Sequence, residues 1–185
     1  MTRFYLLMAL GLCLLAVPAL AQSEPGIGDK IPHDLIAHDQ NGEEQSFEAI
    51  KGQKGITLVF VRSADWCPYC QVQLNEYRDA SGELEQLGYP VVSVSYDSVE
   101  KLQAFARKSD IEYTMLSDPA SEIIKAFGIL NDEHAIGTFA YGIPKPGVYI
   151  VSADGIIQAK LAEEGYKTRP TVEDIKAEIQ KASSF

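Results

Sequence analysis

Ile56-Thr57-Leu58-Val59-Phe60-Val61 runs through Arg62-Ser63-Ala64-Asp65 into Trp66-Cys67-Pro68-Tyr69-Cys70. The first six residues are β-branched or apolar without alternation, which is the pattern of a strand buried on both faces. Pro68 stands where a helix can begin, because the N–H it lacks is one that the first helical turn leaves unpaired anyway. Behind it Val72, Leu74, Tyr77, Leu84 and Leu87 recur at mainly helical spacing, and Gly88 supplies the stop. The stretch therefore predicts a buried strand, a short loop and a helix that opens on two cysteines.

The same reading extends outward. Pro90 to Ser95 predicts a second buried strand, and Val99 to Lys108 a helix with Leu102, Phe105 and Ala106 on one face. Ile111 to Leu116 reads as a short extended stretch, and Pro119 opens a helix through Phe127 that stops at Gly128. Asn131 to Gly142 has little periodicity and two glycines, so it reads as an insertion or an active-site loop. Gly147 to Val151, the Asp154-Gly155 turn and Ile156-Ile157 predict a hairpin. Arg169-Pro170 then leads into a terminal amphipathic helix carrying Val172, Ile175 and Ile179. There is no internal repeat, low-complexity tract or linker. Helical crossovers between buried strands place the chain in the α/β class, with a central sheet covered on both faces.

Arg3 followed by the uncharged run Phe4 to Ala21 reads as a signal peptide, residues 1–21, ending in the small-x-small site Ala19-Leu20-Ala21. The run just reaches the length at which a membrane anchor is conceivable, about 18 residues, but Pro18 and its small neighbours fit a peptidase site better. Leu12 before Cys13 excludes a lipid-modified N-terminus. The expectation is a single domain, 22–185, exported to the periplasm or secreted and without stable membrane association after cleavage. The chain has a formal charge of −10, and loss of Arg3 makes it more negative still. Nucleic acid and anionic lipid would be repelled at long range, so neither is an expected partner.

Of three cysteines, Cys13 leaves with the leader, and Cys67 and Cys70 remain. A disulfide that closes so small a loop constrains the unfolded chain little, so the pair is read as chemistry rather than as a staple. A Cys-x-x-Cys where a buried strand hands over to a helix is the context of a thioredoxin-like redox site. Only a thiolate attacks a disulfide. At the first helical turn Cys67 would face unpaired N–H groups and the positive end of the helix dipole, worth up to about 1–2 kcal/mol. Arg62 would add to that effect and Asp65 oppose it. Cys67 is thus expected to be the exposed nucleophile and Cys70, one turn further in, the resolving thiol, with Trp66 covering both. A zinc site needs four ligands, and His33, His38 and His134 are scattered at no ligand spacing. Gly26-Ile27-Gly28 lacks the third glycine of a dinucleotide fingerprint. No cofactor or metal is expected.

Three groups of residues carry a family resemblance. Gly28-Asp29-Lys30-Ile31-Pro32 with Asp39-Gln40-Asn41-Gly42, then Val59-Phe60-Val61 before the Trp66 to Cys70 motif, then Pro146 to Gly155, resemble the redoxin branch of the thioredoxin superfamily. That branch includes the alkyl hydroperoxide reductase/thiol-specific antioxidant proteins and exported thiol–disulfide oxidoreductases. The resemblance implies a thioredoxin fold, a central mixed sheet flanked by helices, with a redoxin-type N-terminal extension. It places Pro146 where thioredoxins carry a cis-proline facing the cysteines. It also implies a substrate groove supported by Trp66, Pro68, Lys145 and Pro146, and a redox-active Cys67–Cys70 disulfide. Peroxiredoxins are similar to one another in a Pro, then Thr or Ser, then Cys pattern. Counting back from Cys67 finds Ala64 and Phe60 at those places, counting back from Cys70 finds Cys67 and Ser63, and Pro146 stands where they tend to have an Arg. Fold kinship alone does not confer a reaction. The leading expectation is therefore disulfide exchange with protein disulfide or dithiol substrates and a redox partner protein, with hydrogen peroxide a poor substrate. The alternatives are a peroxiredoxin-like thiol peroxidase and a dithiol module for copper or haem-protein assembly.

Overall fold

In the computed structural model, which describes residues 23–162 and 167–182, the quoted apolar run becomes an interior strand of a seven-stranded mixed sheet. The signal peptide and its cleavage site, 1–21, lie outside the described residues. The sheet is built from β1 (Ala37–Asp39), β2 (Glu44–Gln45), β3 (Gly55–Phe60), β4 (Val91–Ser95), β5 (Thr114–Ser117), β6 (Gly147–Ser152) and β7 (Ile157–Leu161). Its order is β2-β1-β5-β4-β3-β6-β7. β3 pairs parallel with β4 and antiparallel with β6, with Phe60 opposite Gly147. β4 pairs parallel with β5, and the two outer pairs on each side are antiparallel.

Among the described residues five helices cover the sheet: α1 (Phe47–Ile50), α2 (Pro68–Gln86), α3 (Val99–Ser109), α4 (Glu122–Ala126) and α5 (Val172–Ala182). Val59, Val61, Val91, Val148 and Ile150 share one core with Leu74, Tyr77 and Leu84 of α2, Leu102 and Phe105 of α3, and Ile175 and Ile179 of α5. Ile56, Leu58, Phe60, Val92, Val94 and Tyr149 share the other with Phe47 of α1 and Ile123 and Ile124 of α4. Successive residues of β3 thus enter different cores, which is why its sequence shows no polar alternation. The expected fold is the observed one, and its redox motif sits where β3 ends.

Several local expectations are refined. Gly88 ends α2 at φ 90°, a conformation a side chain disfavours, and its N–H donates to Glu85 O. Val72, read as part of the apolar stripe of α2, is instead 59 % exposed. The N-terminal extension forms the β1–β2 hairpin, in which the Asp39 carboxylate accepts the N–H groups of Asn41 and Glu43 and Gly42 takes a positive φ. β5 begins at Thr114, later than the extended stretch predicts. A cis bond at Lys145–Pro146 is not found, since no cis peptide bond occurs among the described residues. Pro144 bridges to Leu130, and the Lys145 N–H donates to Ile129 O at 2.6 Å. This ladder carries the chain directly into β6 with a trans bond. No helix among the described residues is long and apolar enough to cross a membrane.

Phe60, Phe127 and Tyr149 form an aromatic cluster under β3 and β6, with ring centroids 4.8 Å (Phe60–Phe127), 5.7 Å (Phe60–Tyr149) and 5.6 Å (Phe127–Tyr149) apart. Phe127→Ala is expected to cost about 3–5 kcal/mol. The expected readout is a lower urea midpoint with an unchanged m-value; an unchanged midpoint would contradict the packing described.

Candidate active site

The chain leaves β3 through Arg62–Trp66, and this loop is held by one carboxylate. Asp97, just beyond the C-terminal end of β4, accepts Ser63 Oγ–H at 2.7 Å on Oδ1, and Ala64 N–H at 2.7 Å and Ser95 Oγ–H at 2.8 Å on Oδ2. Ser63 Oγ in turn accepts the N–H groups of Asp65 and Trp66 at 3.0 and 3.3 Å. Gln71, on the first turn of α2, closes the other side by donating Nε2–H to Ala64 O and Asp65 O. Three amides and two carbonyls of the loop are thereby satisfied by side chains, as buried backbone requires.

Cys67 is the N-cap of α2. Its Sγ accepts the Cys70 N–H at 3.3 Å, and the two cysteines form a disulfide. The expected placement at the helix start is correct, but the expected exposure is not. Cys67 is 1 % and Cys70 0 % exposed. Both cysteines belong to the core that holds Val59, Val61, Ala64 and Leu74, with Trp66 packed against it. Pro68 and Tyr69 lie on the surface beside the buried pair.

Trp66 is partly buried against the same core. Its Nε1–H donates to Tyr96 Oη at 2.8 Å, and the Tyr96 hydroxyl donates to Phe139 O at 2.8 Å. The Phe139 ring meets the indole edge-on at 5.3 Å, and the Arg62 guanidinium lies 5.0 Å from its centroid. The 131–142 segment is thus fastened to the redox motif, as its reading as an active-site loop implies. Asp65, read as opposing a Cys67 thiolate, is engaged by Lys101 at 2.9 Å. Lys145, read as part of the groove, lies with its Nζ 3.7 Å from Asp132. Pro146 adjoins Gly147, which pairs with Phe60 at the β3 exit. Trp66 and Pro68 therefore flank the cysteines directly, whereas Lys145 is turned to the loop. Among the described residues no cluster of three His, Cys, Asp or Glu side chains could hold a metal ion.

A model of the AhpC/TSA family matches residues 27–160. The chain belongs to the AhpC/TSA family. It is 32% identical over 120 residues to Peroxiredoxin Bcp of Escherichia coli K12, covering 65% of this chain and 75% of that protein. It is 31% identical over 127 residues to the chloroplastic Peroxiredoxin Q of Sedum lineare, covering 69% of this chain and 64% of the relative. Among solved structures, Peroxidoxin BcpB from Mycobacterium tuberculosis superposes with a TM-score of 0.70 at 20% identity, over 86% of this chain and 97% of that one. AhpC of Enterococcus faecalis gives 0.71 at 24% identity, over 85% and 92%. These structural likenesses show the shared fold. The chain is a thiol-dependent oxidoreductase of that fold.

Within this AhpC/TSA site, Ser63 does not stand in for a peroxide-activating hydroxyl, because its Oγ is occupied by Asp97 and two loop amides. A guanidinium is present, but it comes from elsewhere. Arg169, just before α5, places Nη2 3.9 Å from Cys70 Sγ. Sequence reasoning missed both Asp97 and Arg169. The position of Asp97 at the carboxyl end of a central strand was a usable signal, since functional groups gather there in α/β sheets. Arg169 is distant in sequence from the motif and had no such signal.

Burial pushes the Asp97 carboxyl above the usual aspartate range, against the hydrogen bonds from Ser63, Ala64 and Ser95 and the charge of Lys101. A folded pKa above the unfolded one means that the folded chain holds this proton more tightly. The resulting stabilisation is complete below the unfolded value of about 3.9 and is lost as pH rises through the raised value. The stability of the wild type relative to Asp97→Asn, from urea unfolding across pH, is therefore expected to fall as pH rises above about 4. A difference that rose with pH would contradict this. Asp97→Ala is expected to cost about 1–3 kcal/mol, because it strands the Ala64 N–H.

Proposed function

We propose that this chain is a thiol peroxidase that reduces peroxides with the Cys67–Cys70 pair. Its membership of the AhpC/TSA family and the peroxiredoxin names of its relatives put this alternative ahead of disulfide exchange with exported proteins. The observation that carries it is the burial of both sulfurs at the start of α2. A small hydroperoxide reaches such a sulfur more readily than a folded protein's disulfide does.

The Cys67 thiolate, favoured by the N-terminus of α2 and the Cys70 N–H, attacks the peroxide O–O bond. The bond breaks, and the attacked oxygen stays on Cys67 as a sulfenic acid. The other oxygen leaves with the electron pair as alkoxide or hydroxide, which takes a proton from solvent to become the alcohol or water. Cys70 then attacks the Cys67 sulfur, water leaves, and the Cys67–Cys70 disulfide forms. The peroxide has gained two electrons and the dithiol has lost two. A dithiol partner protein restores the pair by exchange, becoming oxidised in turn. Pro68 and Tyr69, exposed beside the pair, offer that partner a surface. This half of the cycle is what the Cys-Pro-Tyr-Cys tetrad favours, and it preserves exchange as the second reading. We also place the reaction outside the cytoplasm, because residues 1–21 read as a cleaved signal; N-terminal sequencing of the native protein should begin at Gln22, and retention of Met1 would refute cleavage.

The chain has one tryptophan, Trp66, adjacent to the redox pair, so its fluorescence reports the reaction directly. Rapid mixing of reduced protein with hydrogen peroxide or an alkyl hydroperoxide should give a second-order rate constant within ~10⁴–10⁸ M⁻¹s⁻¹. Cys67→Ser should abolish the fast phase, and Cys70→Ser should stop at the sulfenic acid after one equivalent. A rate no faster than that of a free thiol, from protein that reduces insulin disulfides rapidly, would instead establish exchange.

A further inference from the structure

We propose that Arg169 holds Cys70 as the thiolate in the reduced protein. Cys70 is then the resolving nucleophile when the disulfide forms and the leaving group when a reductant opens it. This rests on the Cys67–Cys70 pair being the redox centre, and does not depend on peroxide being the oxidant.

Arg169 is fixed in place by the residues on its C-terminal side. Pro170 is buried, and Thr171 and Asp174 bond reciprocally across the first turn of α5: Asp174 Oδ2 accepts Thr171 N–H and Oγ1–H, and Thr171 Oγ1 accepts Asp174 N–H. Ile175 and Ile179 anchor α5 in the core that also contains Cys70, Leu74 and Tyr77 of α2. The side chain therefore projects from a docked helix start toward α2. Its Nη1–H donates to Thr168 O, Nη2 lies 3.9 Å from Cys70 Sγ, and Nε is buried with no hydrogen-bond partner among the described residues.

Among the described residues, the charged and titratable groups that face the guanidinium do not neutralise it. They are Arg62, from the β3 exit, which repels it, and Tyr77 of α2, a phenol that burial keeps neutral well above its ordinary range. Gln73, 3 % exposed on the same helix face, uses its amide N–H on Tyr77 Oη. A half-buried cation in such surroundings is costly without an anion. In the oxidised protein its sulfur neighbour is uncharged and a weak acceptor, which fits the long contact. Reduction supplies the missing charge at that atom. A guanidinium beside a thiolate lowers the thiol pKa, and a leaving thiol of lower pKa departs faster. The reductant's thiolate attacks Cys67 Sγ, the S–S bond breaks, and its electron pair goes to Cys70, which remains a thiolate against Arg169. The reductant's second thiol then displaces Cys67, leaving the reductant as a disulfide and the pair reduced by two electrons.

Two measurements test this without peroxide. Equilibration of the pair with glutathione should shift about tenfold toward the disulfide in Arg169→Met, which is ~30 mV for a two-electron couple, and Arg169→Lys should recover most of the shift. In the Cys67→Ser protein with Arg169 intact, the pH dependence of iodoacetamide labelling should place the Cys70 thiol clearly below the ordinary ~8.5 of a free cysteine. A Cys70 pKa at or above that value, an unshifted equilibrium in folded Arg169→Met, or a lysine variant no better than the methionine one would overturn the proposal. Slow peroxide reduction with a shifted potential would reject the peroxidase reading and leave this one standing.

Discussion

The carboxylate of Asp97 ties the end of β4 to the loop that leaves β3, and the redox centre depends on that tie. Without the bonds to Ser63 Oγ and Ala64 N, the five residues between Val61 and Cys67 would be held from the helix side by Gln71 but no longer tied to β4. Because the path is fixed, α2 starts at a defined point. The Cys67 sulfur then caps the helix, and Cys70 lies one turn inward. The cost of burying a carboxylate is offset only in part by the three donors converging on it, since burial still raises its pKa. The same loop turns Trp66 outward to meet Tyr96 and Phe139, so the 131–142 segment is positioned by the motif it covers.

The site draws on distant parts of the chain because β3 lies inside the sheet, between β4 and β6. β4 brings Asp97, β6 brings the Gly147 edge opposite Phe60, and α5 returns over the face already occupied by α2 with Arg169 at its start. A disulfide chemistry that needs only two adjacent cysteines is thereby placed among charges that tune it. The two sulfurs have different surroundings: Cys67 faces the helix N-terminus and Cys70 faces a guanidinium. A dithiol built in this way can have one sulfur suited to attack and the other suited to leave.

The fold was legible because its decisive features are local. The unbroken apolar run of β3, Pro68 at the helix start and Gly88 at its end each carry their reason in neighbouring residues. The Asp154-Gly155 turn was equally plain. The hairpin of β1 and β2 was not, since strands of three and two residues have no periodicity to read. Val72 matched the helical spacing yet faces solvent, because the apolar stripe of α2 is set by Cys70, Leu74, Tyr77 and Leu84. At the site, both cysteines and Trp66 could be read from the motif. Asp97 had only its place at the end of β4 as a signal and Arg169 had none, because their roles are created by sheet order and helix docking rather than by spacing. Pro146 shows the opposite hazard. Its place in the pattern implied a cis bond, but the strand ladder through Pro144 and Lys145 decides its geometry.

The most direct test is to expose fully reduced protein to one equivalent of hydrogen peroxide and map the thiols by alkylation and mass spectrometry. The account predicts rapid, complete conversion to the intramolecular Cys67–Cys70 disulfide, with no free thiol on either residue. Persistence of both alkylated cysteines, in protein whose Cys67–Cys70 disulfide forms readily from a protein disulfide, would contradict it.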